Sequence, residues 1–132
     1  MAEDKKKEID VTVIEVTEEY LKEKQYKIRG KRVLLDADLA EIYGYDTKGF
    51  NRQVKNNIEK FDEDFMFELT DEELEDLRYK NCTANISSKS RYNPHVFTEQ
   101  GLYMLMTVLK GPLAVKQSKA LIRTFKKMKD YI

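Results

Sequence analysis

Residues 36–61 read DADLAEIYGYDTKGFNRQVKNNIEKF, and the spacing of apolar and turn-forming positions in this run decides the fold. Asp36 opens a helical pattern with Leu39, Ala40 and Tyr43 on one face, and Gly44 stands where a left-handed residue ends a helix. Thr47 caps a second helix in which Phe50, Val54, Ile58 and Phe61 recur at near four-residue spacing. A small Ala40 at the crossing, Gly44 in the turn, Tyr45 beside it and the apolar Phe50 farther on form the pattern of a helix-turn-helix. With Phe50, Val54 and Ile58 turned inward, Lys48, Asn51, Arg52, Lys55 and Asn56 project outward. These residue types recognise nucleic acid: asparagine pairs bidentately with adenine, arginine with guanine, and lysine neutralises phosphate. The plainer account of the same residues is a solvated polar helix face. Gly49 inside this helix costs about 1 kcal/mol relative to alanine. A close approach to DNA or to another helix accounts for it, and so does neutral drift.

Upstream, residues 1–8 are charged, lack apolar periodicity and read as a disordered tail. Residues 9–16 alternate and are β-branched, which predicts a strand followed by a short polar stretch. Residues 26–35 have two strand-like arms around Arg29-Gly30-Lys31, a hairpin that carries the bases Arg29, Lys31 and Arg32. Downstream, residues 65–69 read as a short strand, and Thr70 with Glu73 forms a capping-box signature for an acidic helix to about Leu77. Residues 80–94, rich in Asn, Ser and Thr, read as a surface loop. Phe97 is the staple and Thr98 the cap of an amphipathic helix holding Leu102, Leu105, Met106 and Leu109, with Gly101 at a close helix contact. Gly111-Pro112 precedes a last helix to about residue 130. The expected class is α+β: a small N-terminal β-hairpin or sheet, helix-turn-helix-like helices and a C-terminal helical pair, in a single domain over residues 9–132.

The chain has 132 residues, suited to one core, with 41% hydrophobic and 36% charged residues and a mean hydropathy of −0.67. The longest uncharged stretch near the carboxyl end, Gly101 to Leu109, is far short of the roughly 20 apolar residues that span a bilayer, so no membrane partner is expected. No apolar segment of secretory type follows the first charges, and Cys82 is the single cysteine, which together point to the cytoplasm. Net charge is zero but unevenly spread: residues 61–77 are acidic without a base, while residues 110–130 are basic apart from Asp130. His95 is the one histidine, so no zinc set forms, and the glycines are too scattered for a phosphate loop. Asp62-Glu63-Asp64 reads as an exposed turn rather than a nuclease metal cluster. No enzyme, metal or cofactor is expected.

Several strings occur in order from about Ile28 to Phe125: IRGKRVLLDADLAEIYG from Ile28, VKNNIEKF from Val54, DFMFELT from Asp64, FTEQG from Phe97, MLMTVL from Met104 and IRTF from Ile122. In these the chain resembles the ORF-six amino-terminal domain family, a phage-associated relative of the KilA-N and Bro-N domains. The resemblance implies a mixed α/β DNA-binding domain of phage and mobile-element regulators, antirepressors included, often fused to an effector domain, for which this chain leaves no room after Phe125. Two positions depart from the family: Asp62 stands where proline is usual, and Asn56 where a base is common, which lowers the phosphate affinity expected of that helix.

The leading expectation is therefore a sequence-specific, double-stranded-DNA-binding module of a phage or mobile-element transcriptional regulator. Residues 48–60 form its recognition helix, and Arg29, Lys31 and Arg32 hold neighbouring phosphates. A homodimer suits it, because one short helix reads only a few base pairs. Its setting is the cytoplasm of a bacterial or phage-infected cell. The alternative is an antirepressor-like or host-targeting phage protein that binds a protein such as a repressor, favoured by the zero net charge and the acids from Asp62 to Asp76.

Overall fold

Arg29 and Gly30 both take positive φ, 55° and 73°, and this pair makes the tight two-residue turn whose twist matches that of paired strands. It joins β1 (Tyr26–Ile28) to β2 (Lys31–Leu35), with Ile28 opposite Lys31 and Tyr26 opposite Val33. The computed structural model, which describes residues 13–81, 84–86 and 92–130, extends this hairpin to a four-stranded antiparallel sheet in the order β1-β2-β4-β3. Here β3 is Met66–Glu68 and β4 is His95–Phe97. β4 lies in the centre, pairing Val96 with Leu35 and Phe67, and Phe97 with Leu34 and Met66.

Six α-helices surround the sheet among the described residues: α1 (Glu18–Lys24), α2 (Asp36–Tyr43), α3 (Thr47–Lys55), α4 (Asp71–Lys80), α5 (Glu99–Leu105) and α6 (Pro112–Asp130). Because side chains alternate across a strand, the sheet has two buried faces. Leu34, Met66 and Phe97 belong to the larger core, with Leu21, Leu39, Phe50, Val54, Leu102, Leu121 and Phe125. Val33, Leu35, Phe67 and Val96 belong to a smaller one, closed by Leu69 and Leu77 with Ala84 and Ile86. Thus α4 covers one face, and the remaining helices build the other. The α+β class and the C-terminal helices α5 and α6 agree with the sequence.

Four local expectations change. Among the described residues, 13–16 form no strand, while 9–12, the charged tail and Cys82 lie outside them. The polar stretch after it is helix α1, capped by Thr17 and carrying Glu18 and Glu19 in its first turn and Lys22 and Lys24 in its last, which complements the helix dipole. Lys80, assigned to the loop, ends α4, whose capping box of Thr70 and Glu73 is present. Phe97, expected as a staple, ends the strand His95–Phe97, and the helix after it stops at Leu105, although Leu102, Leu105 and Leu109 are buried.

Candidate nucleic-acid interface

Helices α2 and α3 are joined by three residues. Gly44, at φ 76°, turns the chain out of α2, and the N–H of Tyr45 donates to the Ala40 carbonyl at 2.8 Å. A Cβ on Gly44 would stand 2.8 Å from Leu113 Cδ2, so α6 packs against the turn itself. Asp46, not Thr47, caps α3: its Oδ1 accepts from the N–H of Gly49 at 2.7 Å. That contact explains Gly49, because the cap oxygen sits 2.7 Å from where a Cβ would be. Within the chain, the group the glycine makes room for is its own cap. Phe50 anchors α3, fully buried and edge-on to Tyr45 and Phe97 with centroids 6.4 and 5.7 Å apart.

The helix ends at Lys55, five residues short of the expected 48–60. The Asn57 amide donates to the Gln53 carbonyl at 2.9 Å, a side-chain bond that competes with helix continuation, and a short 3₁₀ turn follows at Ile58–Lys60. The change of path rotates Ile58 into solvent, where it is 54% exposed, while Phe61 is buried edge-on to Phe97 at 5.9 Å. Ile58 is therefore a surface residue and not part of the core stripe.

Lys48, Arg52 and Lys55 are exposed. At about 100° per residue they fall within an arc of about 60°, opposite Phe50 and Val54. Among the described residues they have no ion-pair partner, in contrast to Lys24, Arg29, Lys80 and Lys129, which are paired. Asn56, also exposed, is the C-cap of α3. Asn51 faces another way: its Nδ2 donates to Asp36 Oδ2 at 3.0 Å, so bidentate reading of adenine requires that bond to break.

Asp36 is the residue the sequence reading passed over. Nearly buried at the start of α2, it accepts from the Ala37 N–H at 2.7 Å through Oδ1, and through Oδ2 from Asn51 and from the His95 N–H at 3.2 Å. The carboxylate extends the β2–β4 pairing one step past Leu35 and Val96, and ties α3 to the central strand. Asp38, 0% exposed, forms a second polar centre, held by Asn85 Nδ2 at 3.2 Å and Lys24 Nζ at 3.6 Å. Burial raises its pKa against the pull of Asn85 and Lys24. Burial, with Asp38 adding to it, likewise pushes the Tyr20 hydroxyl up to about 12. The signal in the sequence was two acids in one first turn directly after the apolar Val33-Leu34-Leu35.

The hairpin bases lie on β2 and its turn, not on α3. β2 rises about 3.3 Å per residue, which sets Lys31 roughly 13 Å from Leu35, where α2 begins. Arg29 is engaged within the chain. Its guanidinium bonds both carboxylate oxygens of Glu73, at 2.7 and 3.0 Å, and lies 4.0 Å over the Phe67 ring. The guanidinium, with the Thr70 N–H behind it, holds Glu73 down at about 2. Lys31 and Arg32 are exposed. Arg32 stands at the rim of a cleft of about 240 Å³ between β2, α5 and α6, beside Glu99 and Lys129, which pair at 2.7 Å.

The string Phe97-TEQG has a structural account. Thr98 caps α5 through the Gly101 N–H at 3.2 Å and donates to the Asp64 carbonyl at 2.8 Å, while a Cβ on Gly101 would fall 2.0 Å from the Phe65 carbonyl oxygen. No group of three or more His, Cys, Asp or Glu is placed to hold a metal among the described residues, and no helix among them is long and apolar enough to cross a membrane.

A family model described as the ORF6N domain matches residues 23–108. That span holds all four strands, α2 to α5 and the end of α1, and stops short of α6. No curated protein and no solved structure matches the chain.

Proposed function

Because the chain belongs to the ORF6N domain family, we propose that it is a sequence-specific, duplex-DNA-binding module of a phage or mobile-element regulator, a binding protein rather than an enzyme. The observation that carries this reading is the stripe of exposed cations Lys48, Arg52 and Lys55 on α3, which have no ion-pair partner among the described residues. The α2–turn–α3 unit presents it, and the Asp36–Asn51 bond holds it in place. Arg52 reads a base edge, Lys48 and Lys55 neutralise phosphate, and Asn56 lies at the end of the same face. Arg29, clamped by Glu73, is withdrawn from phosphate in this state, while Lys31 and Arg32 stay exposed on the same hairpin.

Binding of the purified protein to random and selected duplexes at two salt concentrations tests the reading. Arg52→Ala weakens a selected site by about 1–3 kcal/mol and relaxes specificity there. Lys55→Ala weakens all sequences alike and lowers the salt slope by about one. Absence of salt-sensitive binding at low ionic strength overturns the proposal.

A further inference from the structure

Two helix faces on opposite sides of the sheet carry opposite charge, and each includes exposed apolar side chains beside its charges. On α4, Glu72, Glu75, Asp76 and Tyr79 fall within an arc of about 100°. All four are exposed, Tyr79 at 89%. On α6, Val115, Lys116, Lys119, Ile122 and Arg123 fall within an arc of about 120°. They lie opposite the buried Ala114, Gln117, Leu121 and Phe125, with Val115 52% and Ile122 45% exposed. Among the described residues Glu72, Glu75, Lys116, Lys119 and Arg123 have no ion-pair partner. A face of acids ending in an aromatic ring meets, in charge and in character, a face on which bases run alongside an aliphatic pair.

One molecule cannot bring the two faces together, since α4 packs on the smaller core and α6 on the larger, with the sheet between them. We infer that α6 of one copy docks on α4 of a second copy, with Tyr79 of the second seated between Val115 and Ile122 of the first and the acids of the same face against Lys116, Lys119 and Arg123. The patches differ, so the contact is head-to-tail and not self-complementary. Each added copy again presents one free acidic and one free basic face, and the product is a row of copies rather than the two-fold dimer anticipated from the sequence. The inference uses no residue of α3 and stands whether or not the protein binds DNA.

Sedimentation velocity of the full chain, freed of nucleic acid, tests it over a concentration series at low and high salt. The average mass rises with concentration past that of a dimer at low salt and falls back at high salt. Tyr79→Ala with Glu75→Gln removes the acidic face, and Ile122→Ala with Lys119→Gln removes the basic face. All four positions are exposed, so circular dichroism stays native. Each double variant alone loses at least tenfold in association constant, and an equimolar mixture forms a one-to-one dimer that grows no further, because each contributes the face the other lacks. A monomer at every concentration overturns the inference, as does a dimer that both variants still form. So does an α6 variant that loses DNA affinity with its self-association intact, which assigns that face to phosphate instead.

Discussion

Replacing Asp36 with alanine removes the acceptor on which α2, α3 and β4 converge, without touching any residue of the proposed DNA surface. Three donors lose their partner: the Ala37 N–H at 2.7 Å, the Asn51 amide at 3.0 Å and the His95 N–H at 3.2 Å. A donor left unsatisfied out of water costs about 1–3 kcal/mol. Asn51 and His95 are only partly buried, so the lower half of that range applies to each. Ala37 lies in a first helical turn, where water replaces the carboxylate at small cost. The sum is about 2–4 kcal/mol, a large share of the roughly 5–15 kcal/mol that holds an ordinary domain. Urea denaturation reads it as a shift in midpoint at constant slope. Asn51→Ala made in the Asp36→Ala background costs less than it does alone, by about 1 kcal/mol, because the partner it would strand is already gone. DNA affinity falls in both single variants, since α3 loses its tie to the sheet. A destabilisation of Asp36→Ala below about 0.5 kcal/mol, or strict additivity in the cycle, refutes the reasoning.

Gly101→Ala forces a Cβ to within 2.0 Å of the Phe65 carbonyl oxygen, a backbone atom with little freedom to retreat, and costs about 3 kcal/mol or more in the same denaturation assay. Ile58→Ala changes stability by less than about 0.5 kcal/mol whereas Phe61→Ala costs about 3 kcal/mol; equal effects would restore Ile58 to the core. Glu73, lowered from 4.5 to about 2, favours the ionised native state. Its contribution is therefore complete above about pH 4.5 and is lost as pH falls toward 2. Accordingly Glu73→Gln is less stable than the parent at pH 7, and the difference closes in acid; a gap that persists at pH 2 contradicts the clamp.

What the sequence made legible was local chemistry. Arg29-Gly30, Gly44, Thr70 with Glu73, Thr98 and Gly111-Pro112 mark turns, caps and helix ends through interactions spanning a few residues, and each stands close to where it was read. The cation stripe of α3 was readable for the same reason, as helical spacing alone opposes Lys48, Arg52 and Lys55 to Phe50 and Val54. What escaped depends on partners distant in the chain. His95–Phe97 is too short to show a period, and it is a strand because β2 and β3 flank it. Asn51 read as an outward amide because nothing near it in sequence announces Asp36. Arg29 read as a free base because its partner Glu73 lies 44 residues away. The end of α3 was a contest between apolar spacing, which favours carrying on to Phe61, and two consecutive asparagines, of which Asn57 turns its amide back on the Gln53 carbonyl.

The central place of β4 has a consequence for how the protein comes into being. As the chain leaves the ribosome, the hairpin and α2–α3 emerge first, yet β2 lacks its inner neighbour, and Asp36 its bond to His95, until 59 further residues have been made. Until then the inner edge of β2 stays open, and after synthesis of β3 that strand too waits for its partner. β2 and β3 are joined only through β4, so the four-stranded sheet cannot be complete before residues 95–97 have been made. For the same reason the helix pair is not a portable part: cut from the chain before residue 95, it keeps its sequence and loses the surface that sets its angle.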